Sequence, residues 1–111
     1  MIKESYLAVV ARNDDLRAGW ASEPCECAWA SEAIFFLRVL SAPESAPPAR
    51  VSVQMSPDGI HWVDEGSVLD VPVCESVVFA RVHHFGGWLR LAADSGACGQ
   101  RRVICYLSLK G

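Results

Sequence analysis

Apolar and polar residues alternate along much of this chain with the period of two that is typical of β-strands. The alternation is strict in Val51–Ser56, and near the end of the chain Val103, Cys105, Leu107 and Leu109 fall on one face. Apolar residues at helical spacing are nearly absent. The pattern therefore predicts an all-β chain.

Further segments have the composition of strands and are separated by turn signals rich in Pro, Gly, Asp and Ser. They are Tyr6–Arg12, Ala33–Leu40, Val77–His84 and Trp88–Ala92. Ala33–Leu40 is almost continuously apolar, which predicts a central strand covered on both faces. Strands at a spacing of roughly ten residues predict a β-sandwich or a β-barrel. For an antiparallel sandwich, we expect the inward residues to include Val51, Val53, Met55, Leu89, Leu91, Cys105, Leu107 and Leu109.

The composition predicts a single globular domain over residues 1–111. Hydrophobic residues make up 51% and charged residues 21% of the chain, which is enough for one core. The net charge of −3 gives no basic field for nucleic acid. Apolar runs fall far short of the roughly 20 residues that cross a bilayer, so we expect no membrane partner. The short apolar stretch near the N-terminus does not predict a signal peptide, which favours the cytoplasm or a particle assembled inside the cell.

The cysteine count is odd, which favours free thiols in a reducing compartment. The five are Cys25, Cys27, Cys74, Cys98 and Cys105. Cys25 and Cys27 would share one face of a strand, and with His61, His83 or His84 they are a candidate metal site. Their spacing is unusual for zinc and a second pair is missing, so we predict no metal. Cys105 is expected to be buried and inert, and Cys98 to be the exposed, reactive thiol.

The most specific motif is the segment Arg50–Trp62, which reads RVSVQMSPDGIHW. It resembles the strand–turn–strand of discoidin-like (factor 5/8 type C) and related galactose-binding-like domains, and Gly87–Leu91 is similar to a later strand of that family. The resemblance implies a jelly-roll β-sandwich, in a family whose members bind sugars, lipids or proteins through loops at one end. No ligand-binding residue of the family has a counterpart here.

The turn of this motif has a structural explanation. Ser56 and Asp58 can accept hydrogen bonds from backbone donors, Gly59 can adopt positive φ, and Trp62 is expected to cover the turn. We therefore interpret these residues as a folding device. His83 and His84 are expected to face opposite sides of a strand, and neither they nor the acidic residues form a catalytic constellation. The sequence predicts no enzyme and no cofactor.

Tryptophan and arginine are frequent, with four Trp residues and eight Arg among the ten basic residues. Both types are enriched in protein interfaces. We expect Trp62 and Trp88 to fill the core, whereas Trp20, Trp29 and Arg17 are candidates for a contact surface. The leading hypothesis is a non-catalytic structural domain of a larger assembly, such as a coat, decoration or phage-like particle, with other subunits as partners. The alternative is a carbohydrate-binding module that uses exposed Trp side chains.

Overall fold

A computed structural model describes residues 4–44, 46–73, 75–94 and 98–111. Within these ranges the chain forms β-strands and no helix. The strands are β1 (Ser5–Arg17), β2 (Cys25–Glu26), β3 (Glu32–Ser41), β4 (Ala49–Ser56), β5 (Val63–Val71), β6 (Val77–Val82), β7 (Trp88–Ala93) and β8 (Cys98–Lys110). Consistently, a search of these ranges finds no helix able to span a membrane. The all-β prediction is confirmed.

The strands form two antiparallel sheets of four. Sheet I has the order β1-β8-β3-β6 and sheet II the order β2-β7-β4-β5. β1 pairs with β8, β2 with β7, β3 with β6, and β4 with β5, so the chain is one long hairpin. The hairpin is rolled up so that β3 also pairs with β8 and β4 also pairs with β7. The result is an eight-stranded jelly roll, and the predicted β-sandwich is confirmed.

The core lies between the two sheets and consists of the inward residues of both. Seven of the eight residues predicted to face inward are fully buried, namely Val51, Val53, Leu89, Leu91, Cys105, Leu107 and Leu109. Met55 is the exception and is half-buried. Phe35 of β3 is the largest of the fully buried side chains, and Leu37 on the same face of β3 is fully buried as well. Each contributes about 1.5–3 kcal/mol by leaving water.

Several strand boundaries differ from the sequence prediction. β1 continues to Arg17 through register shifts, at which Asn13 adopts a positive φ of 56°. Such bulges let a strand bend past polar residues without ending. β8 begins at Cys98, five residues before Val103, where the alternation in the sequence begins. Residues 95–97 lie outside the described residues. β6 ends at Val82, two residues before the predicted end.

β5 and the two-residue β2 were not predicted from the sequence. Gly66 interrupts β5 with a φ of 118°, and a register shift faces it on β4 between Ser52 and Gln54. Because this shift advances four residues along β5 against two along β4, the parity of the side chains is kept. Polar Glu65 and Ser67 occupy half-buried positions, however, so no apolar alternation marks the first half of this strand.

β3 is central in its sheet but is covered on one face only. Phe35 and Leu37 are fully buried against sheet II, as expected for a core strand. On the other side Phe36 is half-buried and Arg38 is exposed. The prediction that β3 is covered on both faces is therefore wrong within the described chain, and the outer face of sheet I is open.

Candidate functional site

An apolar row crosses the outer face of sheet I from one edge strand to the other. Val9 on β1 lies opposite Tyr106 on β8, Tyr106 opposite Phe36 on β3, and Phe36 opposite Phe79 on β6. These four residues are called the apolar row below. Phe36 and Tyr106 are half-buried, while Phe79 is 52% exposed at the edge. Aromatic and aliphatic side chains thus meet solvent across all four strands.

The apolar row is widened by neighbours on the same face. Ile34 and Leu7 lie on one side of the row, and Ile104 and Val77 lie on the other. Leu7 and Val77 are exposed, and Ile34 and Ile104 are half-buried. We call these eight residues together the outer apolar patch. Contiguous patches of this kind, rimmed by polar groups, are typical of interaction sites.

Aromatic contacts fix the edge of this patch. The ring centroids of Phe36 and Phe79 are 6.2 Å apart, with planes inclined by 41°. The guanidinium carbon of Arg81 lies 5.1 Å from the Phe79 centroid, within cation–π range. Because the two rings are tilted, they form a ridge with a flanking charge and not a flat aromatic platform.

A small depression lies on the same face, at the end where β8 finishes. It has a volume of about 220 Å³ and is lined by Glu32, Ala33, Ile34, Arg81, His83, Ser108 and Lys110. Ile34 on β3 lies opposite Ser108 on β8 and opposite Arg81 on β6, so it lies between them on the floor of the depression. The depression therefore combines an apolar floor with a mainly basic rim.

The outer face of sheet II is mainly polar, and several of its side chains bond to one another. Arg50 pairs with Asp70 at 3.1 Å. Gln54 donates to Asp64 at 3.1 Å and accepts from Arg90 at 2.8 Å. These bonds run sideways between neighbouring strands. These five polar side chains therefore have partners within the chain.

The turn after β4 has the expected polar geometry. The N–H groups of Asp58 and Gly59 donate to Ser56 Oγ at 3.2 and 2.8 Å. The N–H groups of Ile60 and His61 both donate to Asp58 Oδ1 at 2.9 Å. His61 Nδ1 lies 2.7 Å from Asp58 Oδ2. These hydrogen bonds from His61, Ile60 and Ser56 hold the pKa of Asp58 well below its usual range.

A second tryptophan, Trp88, lies against this turn. The Trp88 indole packs against Gly59, and a Cβ added to Gly59 would lie 3.2 Å from the ring. Trp62 stacks under Arg90, whose guanidinium carbon is 4.2 Å from the ring centroid. Both tryptophans are half-buried, so the prediction that they fill the core is wrong.

Ser56, Asp58 and His61 do not form a nucleophile–base pair. The Ser56 hydroxyl is 1% exposed and donates to Asp58 Oδ1 at 2.9 Å. His61 contacts the other oxygen of that carboxylate and not the hydroxyl. A hydroxyl that is buried and bonded to a carboxylate cannot reach a substrate. The arrangement is a turn lock.

The candidate contact residues Trp20, Arg17 and Trp29 occupy two places. Trp20 is only 9% exposed and donates from Nε1 to Asp14 Oδ2 at 2.9 Å. Its edge and Arg17 line an open, polar pocket of about 550 Å³, together with Asn13, Asp14, Asp15, Ala18, Gly19 and Arg102. Trp29 is 43% exposed and lies elsewhere, beside Gly111. Sequence reasoning grouped the three, and the structure brings only two of them together.

The histidine and cysteine expectations have mixed outcomes. His83 and His84 are both exposed beyond the end of β6, with ring centroids 6.4 Å apart, so they do not face opposite sides of a strand. His84 has a φ of 56°. A search of the described residues for clusters of three or more metal-binding side chains finds none.

Three cysteines are described, and all are free thiols. Cys105 is fully buried, as predicted, and desolvation followed by the nearby Asp14 charge raises its pKa to about 12. Cys27 is also fully buried, and desolvation, with Cys25 and Glu26 nearby, raises its pKa to about 12. Cys74 and the side chain of Cys98 lie outside the described residues, so the expected reactivity of Cys98 stays a prediction.

Comparison with known proteins gave no matching family model, no matching curated protein and no matching solved structure.

Proposed function

We propose that this chain is a non-catalytic interaction domain that packs against other protein subunits through the outer face of sheet I. The observation that supports this most directly is the apolar row Val9–Tyr106–Phe36–Phe79. Each of these side chains contributes more stability when a partner removes it from water. The surrounding arginines match the composition of interface hot spots. The assembly is of the kind formed by coat, decoration or tail subunits of a particle built inside the cell.

A photo-crosslinking experiment tests this proposal. A benzophenone amino acid replaces Phe79 on sheet I or, as a matched control, Val68 on the outer face of sheet II. The two positions are 52% and 49% exposed, so accessibility does not distinguish them. In native cells, irradiation is expected to give a discrete protein adduct from position 79 only. Equal adducts from both positions, or none from position 79, would contradict the proposal.

Carbohydrate binding remains a second candidate because of the polar pocket lined by Arg17 and the edge of Trp20. Carboxylates, an amide and guanidinium groups there suit a ligand rich in hydroxyl groups. A glycan array with the wild-type protein and Arg17→Ala tests it. Binding that Arg17→Ala abolishes would favour this function, whereas silence across the array would leave the assembly proposal alone.

A further inference from the structure

We infer that the partner covering the outer face of sheet I is an acidic protein segment, and that one of its carboxylates enters the depression between Arg81, His83 and Lys110. The inference rests on the proposed function and names the chemistry of the partner. It is drawn from the charge of this face and from the shape of the depression.

The charge of the face opposes that of the whole chain. The chain has a net charge of −3. Around the outer apolar patch, however, Arg38, Arg81, Arg102 and Lys110 are accompanied by Glu32 and by Asp15, which lies opposite Arg102. Arg38, Arg81 and Lys110 make no ion pair within the described part of the chain. A partner with carboxylates around an apolar centre would match both features of the face.

The depression has the size and polarity for one acidic side chain. Its volume of about 220 Å³ is small, and Ile34 provides an apolar floor for a methylene stem. Arg81 and Lys110 stand on opposite strands flanking β3, so a carboxylate between them meets a donor from each side. Charge-assisted hydrogen bonds of this type are stronger than neutral ones. Anchors that fill a pocket near aromatic residues are typical of interface hot spots.

A second copy of this chain fits the face less well. In a face-to-face dimer the basic groups of one copy would meet those of the other. An anionic bilayer also fits poorly, because Phe36 and Tyr106 are half-buried in the sheet and cannot insert.

Selection from a displayed library of random 12-residue peptides tests the inference. The library is selected on the wild-type protein and counter-selected on Phe79→Thr. We expect enriched peptides that combine Asp or Glu with Phe, Tyr, Leu or Val. Their affinity should fall at least about tenfold in Arg81→Gln and in Lys110→Glu. Arg50→Glu, a charge reversal on sheet II, is the control and should leave the affinity unchanged.

Other outcomes overturn the inference. They are enrichment of neutral or basic peptides, no enrichment, and affinity that is insensitive to both Arg81→Gln and Lys110→Glu. Dimerisation that Phe79→Thr abolishes, seen by light scattering, would assign the face to a second copy. Cosedimentation with phosphatidylglycerol vesicles that Phe79→Thr abolishes would assign it to a membrane. If crosslinking from position 79 succeeds while the library fails, the proposed function stands and the acidic partner does not.

Discussion

The outer faces of the two sheets are built on the same strand alternation but are completed in different ways. On sheet II, Arg50, Gln54 and Arg90 find partners on neighbouring strands. On sheet I, Phe36 and Phe79 contact each other but leave a large apolar surface in water. Polar groups of the first face are paired within the chain, whereas the second keeps apolar side chains exposed, and this second face is the one that we propose a partner covers. Changes on sheet II should therefore affect stability, and changes on sheet I should affect association.

The largest loss of stability is expected for Gly87→Ala, at the end of sheet II. Gly87 has a φ of 71°, and an added Cβ would collide with the carbonyl oxygen of Ser56. Backbone strain and the collision should together cost about 3–5 kcal/mol. Gly66→Ala is the control, since φ is also positive there but no atom lies within 4 Å of the added Cβ. Urea denaturation measures both, and equal losses would mean that the close approach is unimportant.

The next effect is expected for Ser56→Ala in the turn after β4. The substitution removes the acceptor of the Asp58 and Gly59 N–H groups in a buried position. Leaving these donors without a partner should cost about 1–3 kcal/mol. Ser52→Ala, on the same strand, is the comparison and should cost less. Thermal unfolding followed by circular dichroism gives the two values, and similar midpoints would show that the turn lock contributes little.

Acid should weaken the same turn through Asp58. Its folded-state pKa lies below its unfolded value of about 3.9, so its stabilising contribution is present above that pH. The contribution is lost as the pH falls through the folded-state pKa. The stability difference between wild type and Asp58→Asn should therefore be largest near neutral pH and shrink below about pH 4. A difference that stays constant from pH 7 to pH 2 would contradict this explanation.

A smaller effect is expected for the contact between Arg90 and Trp62 on sheet II. A double-mutant cycle with Arg90→Met and Trp62→Leu should give a coupling of about 0.5–1 kcal/mol, because the pair is partly exposed. Gln54, which accepts a hydrogen bond from Arg90, is present in all four proteins, so the loss of that bond cancels in the cycle. Zero coupling would mean that the ring and the guanidinium are neighbours without mutual stabilisation.

A comparably small effect on stability is expected for Phe79→Thr on sheet I. The side chain is 52% exposed on an edge strand, and threonine suits a strand, so only the contacts with Phe36 and Arg81 are lost and stability should fall by about 0.5–1 kcal/mol. Association should nevertheless fall, which crosslinking and peptide binding report. A large loss of stability with unchanged association would reverse the comparison between the two sheets.

The fold was largely predictable because most strands alternate cleanly. Val51, Val53, Leu107 and Leu109 indicated their buried face in the sequence alone. β5 escaped because its half-buried positions include Glu65 and Ser67, while the exposed Val68 is apolar. Local patterns indicate the direction of side chains only where the inward positions are apolar.

The candidate site was less predictable because it depends on register between distant strands. The alternation in β8 places Tyr106 on the outward face of this strand. Its alignment with Phe36 and Phe79, however, follows only from the pairing of β8, β3 and β6. The same limit explains the tryptophans: which indole covers Gly59 is decided by the approach of β7 to β4, not by nearness in sequence. Trp20 lies in an irregular segment, and no sequence pattern there predicts the hydrogen bond from its indole N–H to Asp14.

The rolled hairpin also has a consequence for the order of folding. The β4–β5 pair joins residues close in sequence, such as Met55 and Val63, whereas the β1–β8 pair joins Ser5 to Lys110. In sequence, the β1–β8 pair encloses β2–β7, which encloses β3–β6, which encloses β4–β5. The entropic cost of closing each pair therefore falls once the pair inside it has formed. We therefore expect the β4–β5 pair to form first and the β1–β8 pair to form last, and we expect folding to be slow.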